Sequence, residues 1–275
     1  MSYYTAGDGA PLLLVHSINA AASAAEVAPL YEGMLSSHRV FAPDLPGFGF
    51  SDRSDRDYTP RLYTDAVLDM LDEIGTEPVD AVALSLAGEF LARAAAEQPG
   101  RFRSLTLVTP TGFRAGSDRL RKPPGSTRYM ALMDRVFRFP LWKRSLFGAL
   151  TSPKSIRYFL RRTWGSSNID EELAAYCDIS SSQPGAEHAP FAFLSGGLFS
   201  TDIRNVYEAL ELPVWVPHGT RGDFTDFRGA DWTLTLDNWR LQPYSSGALP
   251  HFEHTDEFLS DLRRFLEDPA AYARQ

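Results

Sequence analysis

Apolar positions follow two rhythms that alternate along the first hundred residues of this chain. Residues 11–15 (PLLLV) form a short, wholly apolar run behind a Gly-Asp-Gly turn, which predicts a strand buried on both faces. Residues 20–35 are Ala-rich and predict a helix, with Ser23 as its N-terminal cap. Residues 39–42 predict a second short strand, stopped by Pro43, and the Gly- and Pro-rich stretch 44–52 predicts a loop. Over residues 64–74, Ala66, Val67, Met70, Leu71 and Ile74 recur at helical spacing. Residues 80–84 predict a third strand, followed at once by a helix over 86–98, and residues 104–108 a fourth strand. Strand and helix in alternation predict a mostly parallel sheet with right-handed crossovers.

The rhythm breaks from about Phe113 to Tyr207, where the chain is helical, aromatic and basic, with prolines at 123, 124, 140, 153 and 184. It resumes with strands at 213–217 and 239–244 and an amphipathic helix over 255–266. This pattern divides the chain into a core, 1–112 and 208–275, and a helical insertion, 113–207. Such an insertion between two halves of a parallel sheet suggests a cap over the sheet's carboxyl edge, where open α/β sheets bind ligands. Of its aromatic residues Phe137, Phe139, Trp142, Phe147, Phe159 and Trp164, most are expected to pack inside the cap and a few to face substrate.

Composition narrows the classes. A chain of 275 residues, 44% hydrophobic and 23% charged, supports one sizeable core of a soluble globular type. A net charge of −8 argues against a surface that tracks phosphates. The densest basic region, 114–122 with Arg157, Arg161 and Arg162 beyond it, reads as a solvated face of the insertion. The expected partner is a small-molecule substrate, with no nucleic acid. No membrane is expected either, since no run reaches about 18 apolar residues and no basic segment precedes an apolar one at the N-terminus. A homodimer stays admissible. The single cysteine, Cys177, precludes an internal disulfide and suits a reducing compartment, so a cytoplasmic location is expected. Its polar helical surroundings (AAYCDIS) read as a packed thiol rather than a nucleophile. Six histidines show no HExxH or CxxC spacing, and no GxxxxGKS or GxGxxG occurs, so neither a metal nor a nucleotide cofactor is expected.

The sequence VALSLAGEF sets Ser85 between a buried strand and a helix. A serine on such a turn is held in a strained conformation that projects its side chain from the top of the sheet. The turn demands small residues two before and two after, and these are Ala83 and Ala87. Taken alone, Ala-x-Ser-x-Ala also fits a serine capping a helix in an ordinary β–α turn. Its neighbours in sequence change that weighing. HSINA follows the first buried strand, DLPGFGFSD the next, ALSLAG forms the turn, and PVWVPHGTRGDF and GALPHFEHTDEFLSDLRRFL follow the insertion. In these motifs and their order, from Tyr3 to Leu266, the chain resembles the α/β-hydrolase superfamily. With only residues 3–6 before the Gly-Asp-Gly turn, that family's first strand is expected to be absent.

The resemblance implies an α/β fold with a mostly parallel sheet of about seven strands and a helical cap. It implies a serine-dependent hydrolase acting on an ester, thioester, lactone or related acyl bond of a small apolar molecule. Acyl transfer needs two donors at the developing oxyanion; the family's pattern assigns them to the backbone N–H groups of Leu86 and Ile18. Ser17 stands where the family has glycine, and with Asn19 it is a candidate to line the substrate pocket; Asn19 could equally fix the loop. His16 reads as a strand-end histidine making backbone hydrogen bonds. The family's order of serine, acid, histidine gives Asp223 as the acid, with Asp226 as the alternative and a turn-forming role beside Gly222 as the plain one. At the last loop Gly247, Leu249, Pro250, His251, Phe252 and Glu253 fit the family's form, but Ala248 occupies the catalytic histidine's place. Three accounts stay open. His251 has taken over, up to about 10 Å along the loop; or the protein does something other than triad hydrolysis, as a lyase, a cyclase or a silent ligand-binding protein; or the histidine was deliberately replaced. His254 and His188 are weaker candidates for the base. Epoxide hydrolases and haloalkane dehalogenases of this fold need an aspartate where Ser85 stands.

Overall fold

The computed structural model describes residues 1–116 and 123–274. Its sheet is built from β1 (Tyr3–Ala6), β2 (Ala10–Val15), β3 (His38–Pro43), β4 (Val79–Leu84), β5 (Phe102–Val108), β6 (Val214–Gly219) and β7 (Trp239–Tyr244). The strand order is β1-β3-β2-β4-β5-β6-β7. Only β1 is antiparallel, on β3; every other pairing is parallel. The strand at Tyr3–Ala6 was not anticipated as an element of its own.

Continuous apolar runs become central strands because both faces are covered. In β2, Leu13 and Val15 join the core on one face, with Tyr63, Phe90 and Leu91. Leu12 and Leu14 join the other, with Trp215, Phe258 and Phe265. Each fully buried side chain of this kind contributes roughly 1.5–3 kcal/mol over an exposed one. The one charge within β4, Asp80, is buried and met by Arg103 and by the Ser104 hydroxyl at 2.5 Å.

Helices α1 (Ala28–Met34), α2 (Pro60–Ile74) and α3 (Ala87–Glu97) alternate with these strands. The helix expected over 20–35 is split. A short 3₁₀ turn, Ala24–Val27, precedes α1, whose start suits Pro29 because a first-turn residue needs no N–H. Ser23 makes no capping bond; Asp44 Oδ1 takes the Ala24 N–H at 2.8 Å instead. Helix α2 starts earlier than the apolar spacing suggested, because Thr59 caps it and Pro60 opens it.

Between β5 and β6 lie α4 (Ala131–Phe137), α5 (Lys143–Leu150), α6 (Pro153–Trp164), α7 (Glu171–Ser181), α8 (His188–Leu194) and α9 (Ile203–Glu208). Phe147 and Trp164 are buried there, whereas Phe139, Trp142 and Phe159 are exposed, so fewer of its aromatics form an interior than expected. Part of the basic stretch 114–122 falls outside the described residues. Three helices close the chain, α10 (Pro250–Glu253), α11 (Thr255–Glu267) and α12 (Pro269–Ala273). None of the described helices is long and apolar enough to cross a membrane.

Candidate active site

Ser85 leaves β4 with φ 50, a left-handed conformation that costs a non-glycine residue. Its N–H donates to Val108 O at 2.9 Å and its carbonyl accepts from Gly88 N at 3.1 Å, which closes the turn into α3. Ala83 and Ala87 are fully buried on either side, where larger side chains would meet the core. Ser85 itself is half-buried. Leu86 is the N-cap residue of α3, whose opening N–H groups have no partner inside the helix.

β2 pairs Val15 with Ala83, so the loop 16–19 leaves the sheet next to Ser85. His16 Nε2 accepts from Leu45 N–H at 2.9 Å, which leaves Nδ1 to donate to Ser17 O at 2.6 Å. Both ring nitrogens are thus spent on backbone, as the sequence suggested. Sequence reasoning missed Glu26, a buried carboxylate in an Ala-rich turn. It accepts from Ser17 N–H at 2.8 Å and from Asn19 Nδ2 at 2.6 Å, while Asn19 also donates to Ser17 Oγ at 2.9 Å. Ser17 and Asn19 therefore fix the loop through Glu26, with the buried Ile18 between them. No hydrogen bond to the Ile18 or Leu86 N–H occurs among the described residues.

The acid and base positions are arranged differently from expectation. Asp223 lies exposed in the turn after β6, its N–H donating to Arg162 O of α6 at 3.2 Å and its carboxylate on the Arg162 guanidinium. Asp226 pairs with Arg228 at 2.8 Å, and that hydrogen bonding holds its carboxyl down at about 2. Ala248 donates its N–H to Thr163 O at 2.8 Å, which joins the last loop to the end of α6. Glycine makes this junction close: a Cβ on Gly247 would come within 2.3 Å of Thr163 O, and one on Gly222 within 2.7 Å of Arg162 O.

His251 is fully buried. Its Nε2 donates to Glu26 O at 2.8 Å, its Nδ1 has no partner among the described residues, and Phe252 and Phe258 flank the ring. Burial pushes its pKa down to about 4, opposed only in part by the Glu26 bond. No hydrogen bond joins Ser85, Asp223 and His251 to one another. His254 sits near Glu257 and His188 near Asp55, both half-buried at the start of a helix. A groove of about 690 Å³ lined by Tyr4, Ala28, Tyr31, Leu173, Tyr176 and Leu259 lies away from Ser85.

Glu89, one helical turn beyond Ser85, was also missed. It is buried, accepts from Thr111 Oγ1 at 2.5 Å and from Ser200 N–H at 2.9 Å, and so ties α3 to the insertion. Burial raises its carboxyl above the ordinary range. Among the described residues no cluster of three or more His, Cys, Asp or Glu side chains could hold a metal.

A family model described as alpha/beta hydrolase fold matches residues 10–168. The chain is 32% identical over 286 residues to a 2-hydroxymuconate semialdehyde hydrolase of Pseudomonas sp. (strain CF600), covering 98% of this chain and 91% of that relative. A meta-cleavage product hydrolase from Pseudomonas fluorescens IP01 superposes with a TM-score of 0.73 at 21% identity, over 97% of this chain and 93% of the other. An enol-lactonase from Burkholderia xenovorans LB400 does so with a TM-score of 0.72 at 17% identity, over 97% and 96%. The strained serine between β4 and α3, the parallel sheet beneath it and these likenesses agree: the chain belongs to the α/β-hydrolase family.

Proposed function

We propose that the chain is a serine-dependent hydrolase of an ester, thioester, lactone or related bond next to a carbonyl in a small, largely apolar molecule. Ser85 is the nucleophile in this reading, the Ile18 and Leu86 N–H groups receive the oxyanion, and Ser17 and Asn19 border the substrate. The helical insertion serves as the cap over the core. The observation that carries the reading is the turn at Ser85, where φ 50 is kept in a non-glycine residue at the carboxyl edge of the sheet. Backbone strain of that sort costs of order 1–3 kcal/mol and persists where function uses it. The relative's name makes 2-hydroxymuconate semialdehyde the first natural-type substrate to try.

Asp223 acts as the acid only if it releases Arg162, and His251 acts as the base only through its Nδ1, unpartnered among the described residues, since its Nε2 donates to Glu26 O. That requirement, with Ala248 in place of a histidine, favours a second reading: a lyase, cyclase or ligand-binding member of the fold that uses the donors without a full triad. Turnover of short activated acyl esters and of 2-hydroxymuconate semialdehyde separates the two. Hydrolysis by the parent that Ser85→Ala abolishes supports the first; no hydrolysis by the parent on any of them supports the second. Loss of activity in His251→Ala with Ser17 and Ile18 contacts intact would return His251 to the role of base.

A further inference from the structure

Helix α4 and the turn into α5 carry an apolar patch that the rest of the molecule leaves uncovered. None of the residues of α4 is buried. One side of the helix does meet the protein: Phe137 stacks on Phe191 of α8, ring centroids 5.8 Å apart, and Met130 N–H donates to Ser195 O at 2.8 Å. The outer side holds Leu132, Met133 and Val136, which helical spacing sets side by side, and all three are exposed. The turn extends this surface, because Trp142 Nε1 donates to Val136 O at 2.9 Å and Phe139 packs on Trp142 with centroids 4.4 Å apart. Leu132 is 72% exposed and Leu141 82%. Single exposed leucines are ordinary on a protein surface. Six large apolar side chains on one short segment mark an interaction surface instead.

Cations frame the patch. Residues 128–144 hold Arg128, Arg135, Arg138, Lys143 and Arg144 against one acid, Asp134, in a chain whose net charge is −8. Asp134 is taken by Arg138 at 2.8 Å, and Lys143 lies 4.0 Å from Glu187. Arg135 and Arg144 are exposed and form no ion pair among the described residues. The polar atoms of the flanking aromatics are already bonded, Trp142 Nε1 to Val136 O and the Tyr129 hydroxyl to Asp134 at 3.1 Å, so covering these rings strands no donor. The pairing of apolar and positive groups decides the occupant. A second copy meeting the patch about a two-fold axis would set Arg135 and Arg144 against their own images. A nucleic acid would engage the cations and leave the leucines in water. An anionic lipid surface takes both, with the cations on headgroups and the apolar side chains at the acyl boundary.

We propose that this face of the insertion docks on an anionic lipid surface, with Leu132, Val136, Leu141 and Trp142 at the acyl boundary and Arg135 and Arg144 on headgroup phosphates. The contact is peripheral and reversible. It needs no spanning helix, and the lack of one among the described residues bears only on crossing a membrane. The inference stands apart from the reading of Ser85 as nucleophile. It does set the insertion against the phase in which a small, largely apolar molecule concentrates.

The test is flotation of the full chain with vesicles of equal parts phosphatidylglycerol and phosphatidylcholine, against vesicles of phosphatidylcholine alone. The chain is expected to float with the first and not with the second. Raising salt from about 0.1 to about 1 M shortens the screening length from about 10 to about 3 Å and should weaken the binding. Arg135→Gln with Arg144→Gln is expected to weaken it about 25-fold, from roughly fivefold for each cation lost near an anionic surface. Leu132→Ser with Leu141→Ser should weaken it at least about tenfold. All four side chains are exposed, so both double variants are expected to keep the parent's melting temperature. Failure of the parent to float with the anionic vesicles, equal flotation with phosphatidylcholine alone, or parent-like binding by either double variant overturns the proposal. So does a lipid-free parent that sediments as a dimer and becomes monomeric in Leu132→Ser with Leu141→Ser, which would assign the face to a second copy.

Discussion

Acidification should destabilise this protein through His251 by an amount the structure fixes. The ring is fully buried, and its pKa falls from 6.5 to about 4. A group whose folded pKa lies below its unfolded one contributes stability above the unfolded value and loses it as pH falls toward the folded one. At about 1.36 kcal/mol per pKa unit, the shift corresponds to about 3 kcal/mol in full. The loss begins near pH 6.5, reaches about 2 kcal/mol by pH 5, and is complete below pH 4. His251→Gln provides the reference, since its amide can keep the donor to Glu26 O without titrating. Urea unfolding of both proteins at pH 7.5, 6 and 5 should show the parent's advantage shrinking by about 2 kcal/mol over that range. A difference that stays constant, or an NMR titration placing His251 near 6.5, refutes the reasoning. The same shift bears on catalysis. If His251 accepted the serine proton, the acid limb of kcat/KM would turn near pH 4, so an inflection between pH 6 and 7 would belong to another group.

Thr109→Gly should raise the unfolding free energy by about 1 kcal/mol, because glycine adopts φ 46 without the steric cost and removes an unpaired hydroxyl. A drop in stability on chemical denaturation would show that the threonine is not strained. Glu26→Ala should cost about 3 kcal/mol by leaving the Ser17 and Asn19 donors without their acceptor. It should also lower kcat more than it raises KM, since the loop carrying Ile18 loses its clamp; a change in KM alone would place Glu26 in substrate binding instead. Ala248→His should not create a large gain in ester turnover. Residue 248 is bonded to Thr163 O, and Asp223, the expected orienting carboxylate, is engaged by Arg162. A gain above about 100-fold, the scale of a working general base, would show that the site lacked only that side chain.

What could be read from the sequence follows the range of the forces involved. The strands 11–15 and 80–84 were legible because burial on both faces leaves an unbroken apolar run, a local signal. Ser85 was legible because the turn's tightness dictates small neighbours at fixed spacing. The split of the helix over 20–35 was hidden, since Asp44 supplies the Ala24 cap from another loop. Glu26 was hidden for the same reason: only in three dimensions does one carboxylate reach Ser17 and Asn19. Thr109 and His218 are harder still. Thr109 lies in no motif and His218 lies in PVWVPHGTRGDF, a stretch read for its acid, and both come near Ser85 only through the registers of β4 on β5 and β5 on β6. The sequence therefore exposes the absence at Ala248, where a pattern is broken. Residues that meet across strands are less visible, because positions distant in the chain come to share one edge. In this protein that edge brings together a strained serine, a strained threonine with an idle hydroxyl, and a histidine with a basic nitrogen.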